Sequence, residues 1–323
     1  MANELGFQDV KAMTGLSVKQ GNIDALMGMA QSNVYAVTAE LQKPEYTQFF
    51  AKKHKNQSDS FIPQLYFMVR SHAPPHFKVM LQRLTRSIIL RTSLNISGRG
   101  SKGKSRHRVR YYPGMPEFDL DATLFNYIQN GANYLKHSDI VGYERRQRKR
   151  NVVLILDVSG SMFGKLLLNA ALTTSVLSYA MAKDFTSVIL FNSEAHVLKG
   201  IKTQTKIVEL IDQILESEAV GFTNISRALH RGIVELKKNP GNRQKVGILI
   251  TDGDFNRGKN PLFMARQFPK LHVINMPPEE VKLKQTRGQQ VCRQIAAAGR
   301  GYYVPVKEFD EIPRALMQLL AKI

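Results

Sequence analysis

The pattern of apolar and polar positions divides the chain into two halves of different character. Through the first 95 residues, apolar side chains recur at spacings of three and four, which is the period of an amphipathic helix. The segments with this period are residues 22–42, 60–71 and 76–93, separated by Lys43-Pro44 and Pro74-Pro75. Because proline interrupts helices, the pattern predicts a small helical N-terminal domain over residues 1–95.

From Asn151 onward the pattern changes to unbroken apolar runs. Such runs are typical of parallel strands that are buried on both faces. The runs are residues 151–157, 187–192, 246–252 and 272–276, with a shorter one at 301–306. The helical stretches are 165–183, 205–217, 224–238 and 283–298, with a terminal helix from Glu308. This alternation predicts an α/β fold over residues 151–323, with a doubly wound, mostly parallel sheet flanked by helices.

Residues 96–150 form a basic connector that carries one predicted helix over residues 117–136. Asp119 and Asp121 suit the first turn of that helix, where carboxylates interact favourably with the helix dipole. Charge in this part of the chain is uneven. Residues 60–116 contain eleven Lys and Arg and no Asp or Glu, and a second basic cluster covers residues 144–150.

The formal net charge of the chain is +20. Basic clusters of this kind favour a polyanionic or acidic partner. A solvated linker face that aids solubility is the alternative interpretation of each single cluster. Aromatic residues suited to base stacking are few near these clusters, since only Tyr111 and Tyr112 flank one of them and the chain has no Trp.

The stretch GRGSKGKS at residues 98–105 matches the spacing G-x-x-x-x-G-K-[ST] of a phosphate-binding loop. Such a loop works because it leads into a helix whose N-terminal N–H groups converge on phosphate. Pro113 and Gly114 follow within nine residues, so little room remains for that helix. We interpret the stretch as the basic start of the connector. A nucleotide hydrolase that uses Lys104, with Asp157 as its magnesium aspartate, is the alternative.

Composition excludes several classes of protein. The one cysteine, Cys292, cannot form an intrachain disulfide or a cysteine-based zinc cluster, and its apolar helical surroundings predict a core position. No apolar run approaches the ~18 residues of a membrane span, and the first ten residues lack the pattern of an export signal. We therefore expect a cytoplasmic protein that does not contact membranes.

Polar side chains follow the predicted strands at the points where those strands end. Asp157, Ser159 and Ser161 come directly after one strand, Asp252 ends another, and Thr223 begins a helix. Ligands of open parallel sheets bind beyond the carboxyl ends of the strands. Carboxylate and hydroxyl oxygens suit a hard cation, Mg²⁺ or Mn²⁺. The structural alternative is that Ser159 and Thr223 cap helices.

The same residues do not match the catalytic patterns that we considered. A phosphoaspartate enzyme would place a second acid two positions after the nucleophile Asp157, where this chain has Ser159. A serine hydrolase elbow reads G-x-S-x-G, and neither Ser159 nor Ser161 fits it. The residues therefore predict a protein that is not an enzyme.

Residues 151–323 resemble the von Willebrand factor type A (VWA) family. The stretch DVSGSM resembles the D-x-S-x-S motif of that family, GFTN resembles its threonine loop, and ITDGD resembles its final aspartate loop. The resemblance implies a metal-ion-dependent adhesion site (MIDAS) in which Ser159, Ser161 and Thr223 supply oxygen ligands. It implies that Asp157 and Asp252 bind the ion directly or through water, and that an acidic residue of a partner protein completes the site.

Residues 98–165 are also similar to intracellular VWA proteins of the CoxE-like group, which accompany MoxR-type AAA+ ATPases. This similarity implies a AAA+ partner and a role in complex assembly or metal insertion. We thus expect a non-enzymatic, metal-dependent adaptor that binds an acidic partner. The alternative is a protein that binds RNA or DNA through its basic segments, with the VWA domain as scaffold. Ro-type RNA-binding proteins also join a helical region to a VWA domain, but their helical repeat array is too long for the residues before 151.

The interpretation of residues 98–105 predicts that the purified chain neither binds nor hydrolyses ATP. A fluorescent ATP analogue titrated into the wild type and into Lys104→Ala should give the same flat response. Saturable binding that Lys104→Ala abolishes would instead support the nucleotide hydrolase.

Overall fold

The computed structural model describes residues 6–20, 22–43, 45–46, 50, 61–97, 105–115, 117–131, 133–146, 149–162, 165–217, 220–241, 243–276, 286–306, 311, 315–316 and 318–319. These residues form two compact units, Met1–Arg99 with Asn151–Ile323 and, separately, Gly100–Arg150. Residues 98–104 of the GRGSKGKS stretch lie outside the described residues, as does most of the terminal helix predicted from Glu308.

The secondary structure elements are numbered in chain order. The helices are α1 Phe7–Gln20, α2 Ile23–Ser32, α3 Val34–Leu41, α4 Phe61–Val69, α5 Pro75–Ser97, α6 Leu120–Gln129, α7 Lys165–Ala180, α8 Ile207–Glu216, α9 Ile225–Lys237, α10 Leu262–Ala265 and α11 Arg287–Ala298. The strands are β1 Ser105–Arg110, β2 Phe118–Asp119, β3 Val141–Arg146, β4 Asn151–Asp157, β5 Phe185–Phe191, β6 Ala195–Lys199, β7 Lys245–Thr251, β8 Leu271–Asn275 and β9 Arg300–Pro305.

The larger unit is built on a six-stranded sheet with the order β6-β5-β4-β7-β8-β9. All neighbouring strands are parallel except β6, which pairs antiparallel with β5. This architecture confirms the predicted α/β fold class. The sequence pattern missed β6, because this short edge strand is only partly buried along its length and therefore shows no continuous apolar run.

Side chains of the central strand β4 alternate between two hydrophobic cores. Val152, Leu154 and Leu156 pack on one face of the sheet, in a core shared with α7 and α8. Val153 and Ile155 pack on the other face, in a core shared with α9, α10 and α11. Because successive strand residues point to opposite faces, an uninterrupted apolar strand requires both layers of helices.

The N-terminal helices contribute to the first of these cores. Helix α7 is buried around its whole circumference, as expected of a helix that is covered on all sides. Tyr66 of α4 donates a hydrogen bond from its hydroxyl to the Leu215 carbonyl oxygen (3.1 Å), and Arg70 Nη1 donates to the same oxygen (2.7 Å). Arg86 of α5 forms a 2.5 Å ion pair with Asp212 of α8. Helices α4 and α5 therefore lie against the helices that cover the sheet.

The single helix predicted over residues 22–42 is two helices in the structure. Asn33 ends α2, where its N–H donates to the Met29 carbonyl oxygen (2.8 Å), and begins α3, where its side chain accepts from the Ala36 N–H (3.1 Å). One asparagine thus caps both helices. The apolar period continues across the break, so the pattern alone did not reveal it.

The smaller unit contains three antiparallel strands in the order β1-β3-β2 and the helix α6. Asp119 caps α6 by accepting a hydrogen bond from the Ala122 N–H (3.1 Å), and Asp121 lies in the first turn. The helix ends well before the predicted limit, at a turn where Gly131 has φ +90°. The three strands were missed because β1, SRHRVR, has almost no apolar residues.

Within the described ranges, no helix combines the length and the apolar character that a membrane span requires.

His272 on β8 is fully buried, and its burial makes the stability of the fold depend on pH. Its Nδ1 accepts a hydrogen bond from the Tyr302 N–H (3.1 Å), while Nε2 has no hydrogen-bond partner among the described residues. Burial, aided by the charge of Lys270, lowers the pKa of His272 to about 4. Below pH ~6.5 the unfolded chain therefore binds a proton at this histidine that the folded chain does not bind. The free energy of unfolding consequently decreases as the pH decreases.

We predict that the titration of His272 makes the free energy of unfolding about 2 kcal/mol lower at pH 5 than at pH 7. His272→Asn retains an acceptor for the Tyr302 N–H but does not titrate, so its unfolding free energy should fall less over the same interval. Urea titrations of both proteins at the two pH values measure the difference. An identical pH dependence in wild type and variant would contradict the assignment.

Candidate metal centre

Three loops meet at the carboxyl edge of the central strands. One loop follows β4, one follows β7 and one precedes α9. Strands β4 and β7 are parallel neighbours with Leu156 opposite Ile250, so both strands end at nearly the same level. This register places Asp157 and Asp252 beside each other.

Asp157 is completely buried and both of its carboxylate oxygens are occupied. Oδ1 accepts a hydrogen bond from the Ser159 N–H (2.9 Å), and Oδ2 accepts from the Thr251 hydroxyl (2.5 Å). Thr251 was not predicted as a site residue, because it reads as the last position of an apolar strand. The sequence did offer one signal for Thr251, namely that this hydroxyl residue directly precedes Asp252.

Ser159 and Ser161 lie in the turn that follows β4, with Gly160–Met162 forming one turn of 3₁₀ helix. Their hydroxyl oxygens are 3.2 Å apart. The Ser161 hydroxyl also lies near the Asp252 carboxylate and lowers the pKa of Asp252 against the effect of burial. Ser159, Ser161 and the two aspartates are thus one connected group.

Asp252 is 2% exposed and is held from its own loop, where Oδ1 accepts from the Asp254 N–H (3.0 Å). Its Oδ2 is buried and has no hydrogen-bond partner in the described part of the chain. A buried carboxylate oxygen without a partner is costly. This atom therefore has the chemistry of a cation ligand.

Thr223 is buried in the third loop, which is attached to the other two. Its N–H donates to the Asn256 side chain (2.8 Å), and its carbonyl oxygen accepts from the N–H groups of Asn256 (3.3 Å) and Arg257 (3.2 Å). The Gly160 N–H donates to the Gly221 carbonyl oxygen (3.3 Å). Within the described residues, the Thr223 hydroxyl forms no hydrogen bond to the other four predicted site residues.

The helix-cap alternative does not describe Ser159 or Thr223. Asn224 caps α9, since its side chain accepts from the Arg227 N–H (3.1 Å), and Thr223 precedes the cap. Ser159 lies directly before the 3₁₀ turn, but its hydroxyl contacts Ser161 Oγ (3.2 Å) and accepts no hydrogen bond from a backbone N–H of the described residues. Neither hydroxyl therefore acts as a helix cap.

The electrostatics of the centre also suit a cation. Burial, together with the neighbouring charge of Asp252, raises the pKa of Asp157 to about 7, and burial raises the pKa of Asp252. A nearby positive charge favours the ionised form of both groups. The donors are carboxylate and hydroxyl oxygens, which suit Mg²⁺ or Mn²⁺. Among the described residues, no group of three or more His, Cys, Asp or Glu side chains is placed to hold a metal ion.

Residues behind the loops hold the Asp252 backbone in place. Asn275 Nδ2 donates to the Asp252 carbonyl oxygen (2.9 Å), and Cys292 is a buried free thiol, as predicted. Gly253 has φ +90°, and a Cβ there would collide with the Gly288 carbonyl oxygen. A Cβ on Gly288 would lie 2.6 Å from the Asp252 carbonyl oxygen. Sequence reasoning missed Asn275 and Gly288, because their link to the site depends on tertiary packing.

Comparison with protein families finds one domain model that is similar to the part of the chain around this edge of the sheet. Residues 152–254 match the von Willebrand factor type A domain model. The chain is 31% identical over 121 residues to inter-alpha-trypsin inhibitor heavy chain H3 of Bos taurus, and likewise to that of Homo sapiens. Each alignment covers 34% of this chain and 14% of the relative, so the chain spans about a seventh of the length of these relatives.

Similar solved structures also cover about half of this chain. A von Willebrand factor type A protein from Catenulispora acidiphila has 19% identity and a TM-score of 0.42, covering 56% of this chain and 44% of that chain. Proximal thread matrix protein 1 from the mussel byssus, with a zinc-occupied MIDAS motif, has 17% identity and a TM-score of 0.44, covering 53% and 47%. An aerotolerance-related membrane protein from Bacteroides fragilis has 20% identity and a TM-score of 0.44, covering 54% and 100%.

The close approach of Gly253 and Gly288 predicts that Gly253→Ala lowers the free energy of unfolding by at least about 2 kcal/mol, because strain at positive φ adds to a steric clash. Gly221→Ala is the matched control, since Gly221 also has φ +90° but its Cβ would meet Ser193 Oγ at 3.4 Å, an ordinary contact. The control should lose about 1 kcal/mol. Equal losses in urea unfolding would show that the contact behind the Asp252 loop is not tight.

Proposed function

We propose that the VWA domain of this chain binds a divalent cation, Mg²⁺ or Mn²⁺, and uses it to hold a carboxylate of an acidic partner protein. The proposed ligands are oxygen atoms of Asp157, Ser159, Ser161, Thr223 and Asp252. The observation that carries the proposal is the buried, unpartnered Oδ2 of Asp252. In this proposal the cation would supply a positive centre for the carboxylate of the partner.

The donor set supports a cation that remains attractive to a further anion. Three of the five proposed residues offer neutral hydroxyls. Asp157 uses both carboxylate oxygens for hydrogen bonds to Ser159 and Thr251, and these donors offset part of its negative charge. A cation in this setting would keep much of its charge, whereas a cage of carboxylates would neutralise it.

The surroundings of the site support an adaptor rather than an enzyme. In the described part of the chain, no His or Lys side chain hydrogen bonds to the five proposed ligands. Cys292 lies behind the site with its thiol 3.4 Å from Asn275 Nδ2, and burial raises its pKa. The site therefore lacks an arranged nucleophile with a base beside it.

The proposed setting is the cytoplasm, with a MoxR-type AAA+ ATPase as the acidic partner in complex assembly or metal insertion. This part of the proposal rests on the similarity of residues 98–165 to CoxE-like proteins, and on the positive charge of the chain. Fold-level likeness alone does not identify a partner, so the partner is tested separately from the metal.

We predict that Mn²⁺ or Mg²⁺ raises the thermal unfolding temperature of the wild type, because a ligand that binds only the folded state stabilises it. Asp157→Asn and Asp252→Asn should abolish the shift. Asp254→Asn is the matched control, because Asp254 is exposed, lies in the same loop and hydrogen bonds to Asp252 through its backbone N–H, which the substitution keeps. A shift that survives Asp157→Asn and Asp252→Asn, or that Asp254→Asn alone removes, would contradict the proposed ligands.

A pull-down of a MoxR-type ATPase by the full chain tests the partner. Capture should require Mg²⁺, fail with a chelator and fail for Asp157→Ala. Capture that is indifferent to all three conditions would contradict the metal bridge while leaving metal binding itself intact.

A further inference from the structure

The parallel strands of the six-stranded sheet begin at one common edge, which we call the amino edge. Strand β4 begins at Asn151, which lies opposite the first residues of both neighbouring strands, Phe185 of β5 and Lys245 of β7. The first residues of β8 and β9, Leu271 and Arg300, lie opposite each other. The segments that enter these strands therefore come together at the side of the sheet opposite Asp157 and Asp252.

Side-chain contacts hold these segments together. Just past α9, Asn239 Nδ2 donates to Asn151 Oδ1 (3.0 Å), and the Asn239 carbonyl oxygen accepts from Asn151 Nδ2 (2.7 Å). Arg243 Nη1 donates to Asn239 Oδ1 (3.4 Å). Arg300 Nη2 donates to the Phe268 carbonyl oxygen (2.7 Å) in the segment between α10 and β8. The amino edge is therefore one connected surface.

The amino edge is strongly basic. Its described segments are 181–185, 237–241, 243–245, 266–271 and 298–300. They contain eight basic residues: Lys183, Lys237, Lys238, Arg243, Lys245, Arg266, Lys270 and Arg300. Six of these are exposed, and the other two, Lys245 and Lys270, are half-buried. Asp184 is the single acid in these segments, while nearby Glu235 is fully buried and pairs with Lys238 (2.5 Å). A polyanion would complement this surface.

The cations recur along the edge with the spacing of the strands. Lys183 lies just before β5, and Lys245 begins β7. Lys270 precedes β8, and Arg300 begins β9. Neighbouring strands lie about 4.8 Å apart, so the row from β5 to β9 is about 19 Å long. Such a row faces a partner that carries anions at short, regular intervals, as the phosphates of a nucleic acid strand do.

Aromatic rings lie among these cations. Tyr302 of β9 is 40% exposed and stacks on the His272 ring, with 5.4 Å between the ring centroids. Lys270 Nζ lies 5.4 Å from the centroid of the Tyr302 ring. Towards the other end of the row, Arg243 Cζ lies 4.8 Å from the centroid of the Phe185 ring. Cationic surfaces that carry aromatic rings bind single-stranded nucleic acids, because the bases stack on the rings.

We propose that the amino edge binds the phosphate backbone of a single-stranded nucleic acid and that Tyr302 stacks on one of its bases. An acidic protein would satisfy the cations but would leave the Tyr302 ring unused. An anionic membrane binds proteins through apolar side chains that insert into it, whereas Phe185 and Tyr302 each lie beside a cation. The site belongs to the α/β fold itself, not to the basic segments before it. Because β4 has seven residues, the site lies about 20 Å from the carboxyl edge and does not depend on a cation there.

The probe is a labelled poly-uridine oligonucleotide of about 20 nucleotides, titrated with the full chain and followed by fluorescence anisotropy between about 50 and 200 mM salt. The triple variant Lys183→Gln, Lys237→Gln and Arg266→Gln removes three exposed cations from the amino edge. It should weaken binding at least about tenfold at the lower salt concentration. The slope of log affinity against log salt should become shallower by about 2, at about 0.7 for each phosphate contact. A chelator should change neither result.

The matched control is the triple variant Arg257→Gln, Lys259→Gln and Arg287→Gln. It removes the same charge from exposed residues of the larger unit, in the loop after β7 and at the start of α11. Its affinity should stay close to that of the wild type, and both triple variants should unfold at the wild-type temperature. Equal losses of affinity in the two triple variants would show that net charge alone holds the oligonucleotide, and would overturn the proposal.

Two other polyanions test the choice of nucleic acid. Tyr302→Leu should weaken poly-uridine binding at least about fivefold, because a base loses its stacking partner, and should leave the binding of poly-glutamate unchanged. Unchanged poly-uridine binding by Tyr302→Leu would contradict the stacking. Poly-glutamate or phosphatidylserine vesicles that bind more tightly than poly-uridine, and that the amino-edge triple variant releases, would assign the edge to an acidic protein or to a membrane instead.

Discussion

The larger unit depends on how it accommodates two buried carboxylates at one edge of its sheet. Asp157 and Asp252 are brought together because β4 and β7 are parallel neighbours that end at the same level. Burying like charges in each other's field is unfavourable, and the pKa of Asp157 is accordingly raised to about 7. Hydrogen bonds from Thr251, from the Ser159 N–H and from the Asp254 N–H offset part of this cost. We propose that the remaining unpartnered oxygen of Asp252 binds a cation.

The rest of the larger unit keeps these groups in position. Helix α7 follows the serine loop directly and is buried on all sides, partly by α4 and α5 of the N-terminal segment. Those helices are attached through Tyr66 and Arg70, which share the Leu215 carbonyl oxygen. On the opposite face of the sheet, Gly253 and Gly288 allow α11 to approach the aspartate loop. The loops that carry Asp157 and Asp252 are thus supported from both helical layers.

Much of this arrangement could be predicted from the sequence, because its strongest signals are local. The apolar runs ending at Asp157 and near Asp252 predicted buried parallel strands, and the strand-end rule grouped their polar residues. The family resemblance then selected Ser159, Ser161 and Thr223 among the hydroxyls nearby. The assignment of these residues as metal ligands stays a prediction.

Other features could not be predicted. Some depend on tertiary contacts, and others lie in strands whose partly exposed or basic residues interrupt the apolar pattern of a strand. Strand β6 is a partly exposed edge strand, and β1 is mostly basic. Asn275 supports the loop of Asp252, and Asn256 supports the loop of Thr223. Each contact joins residues that are distant in sequence. The period of α6 was visible, but an apolar face that points outward can be recognised only in three dimensions.

The central claim is that a divalent cation lies among these five residues. The most direct test is X-ray diffraction from crystals of the full chain grown with Mn²⁺, with data collected near the manganese absorption edge. Our account predicts one anomalous peak bordered by the hydroxyls of Ser159 and Ser161 and by Oδ2 of Asp252. A fully occupied Mn²⁺ elsewhere, with no peak at this edge of the sheet, would contradict it.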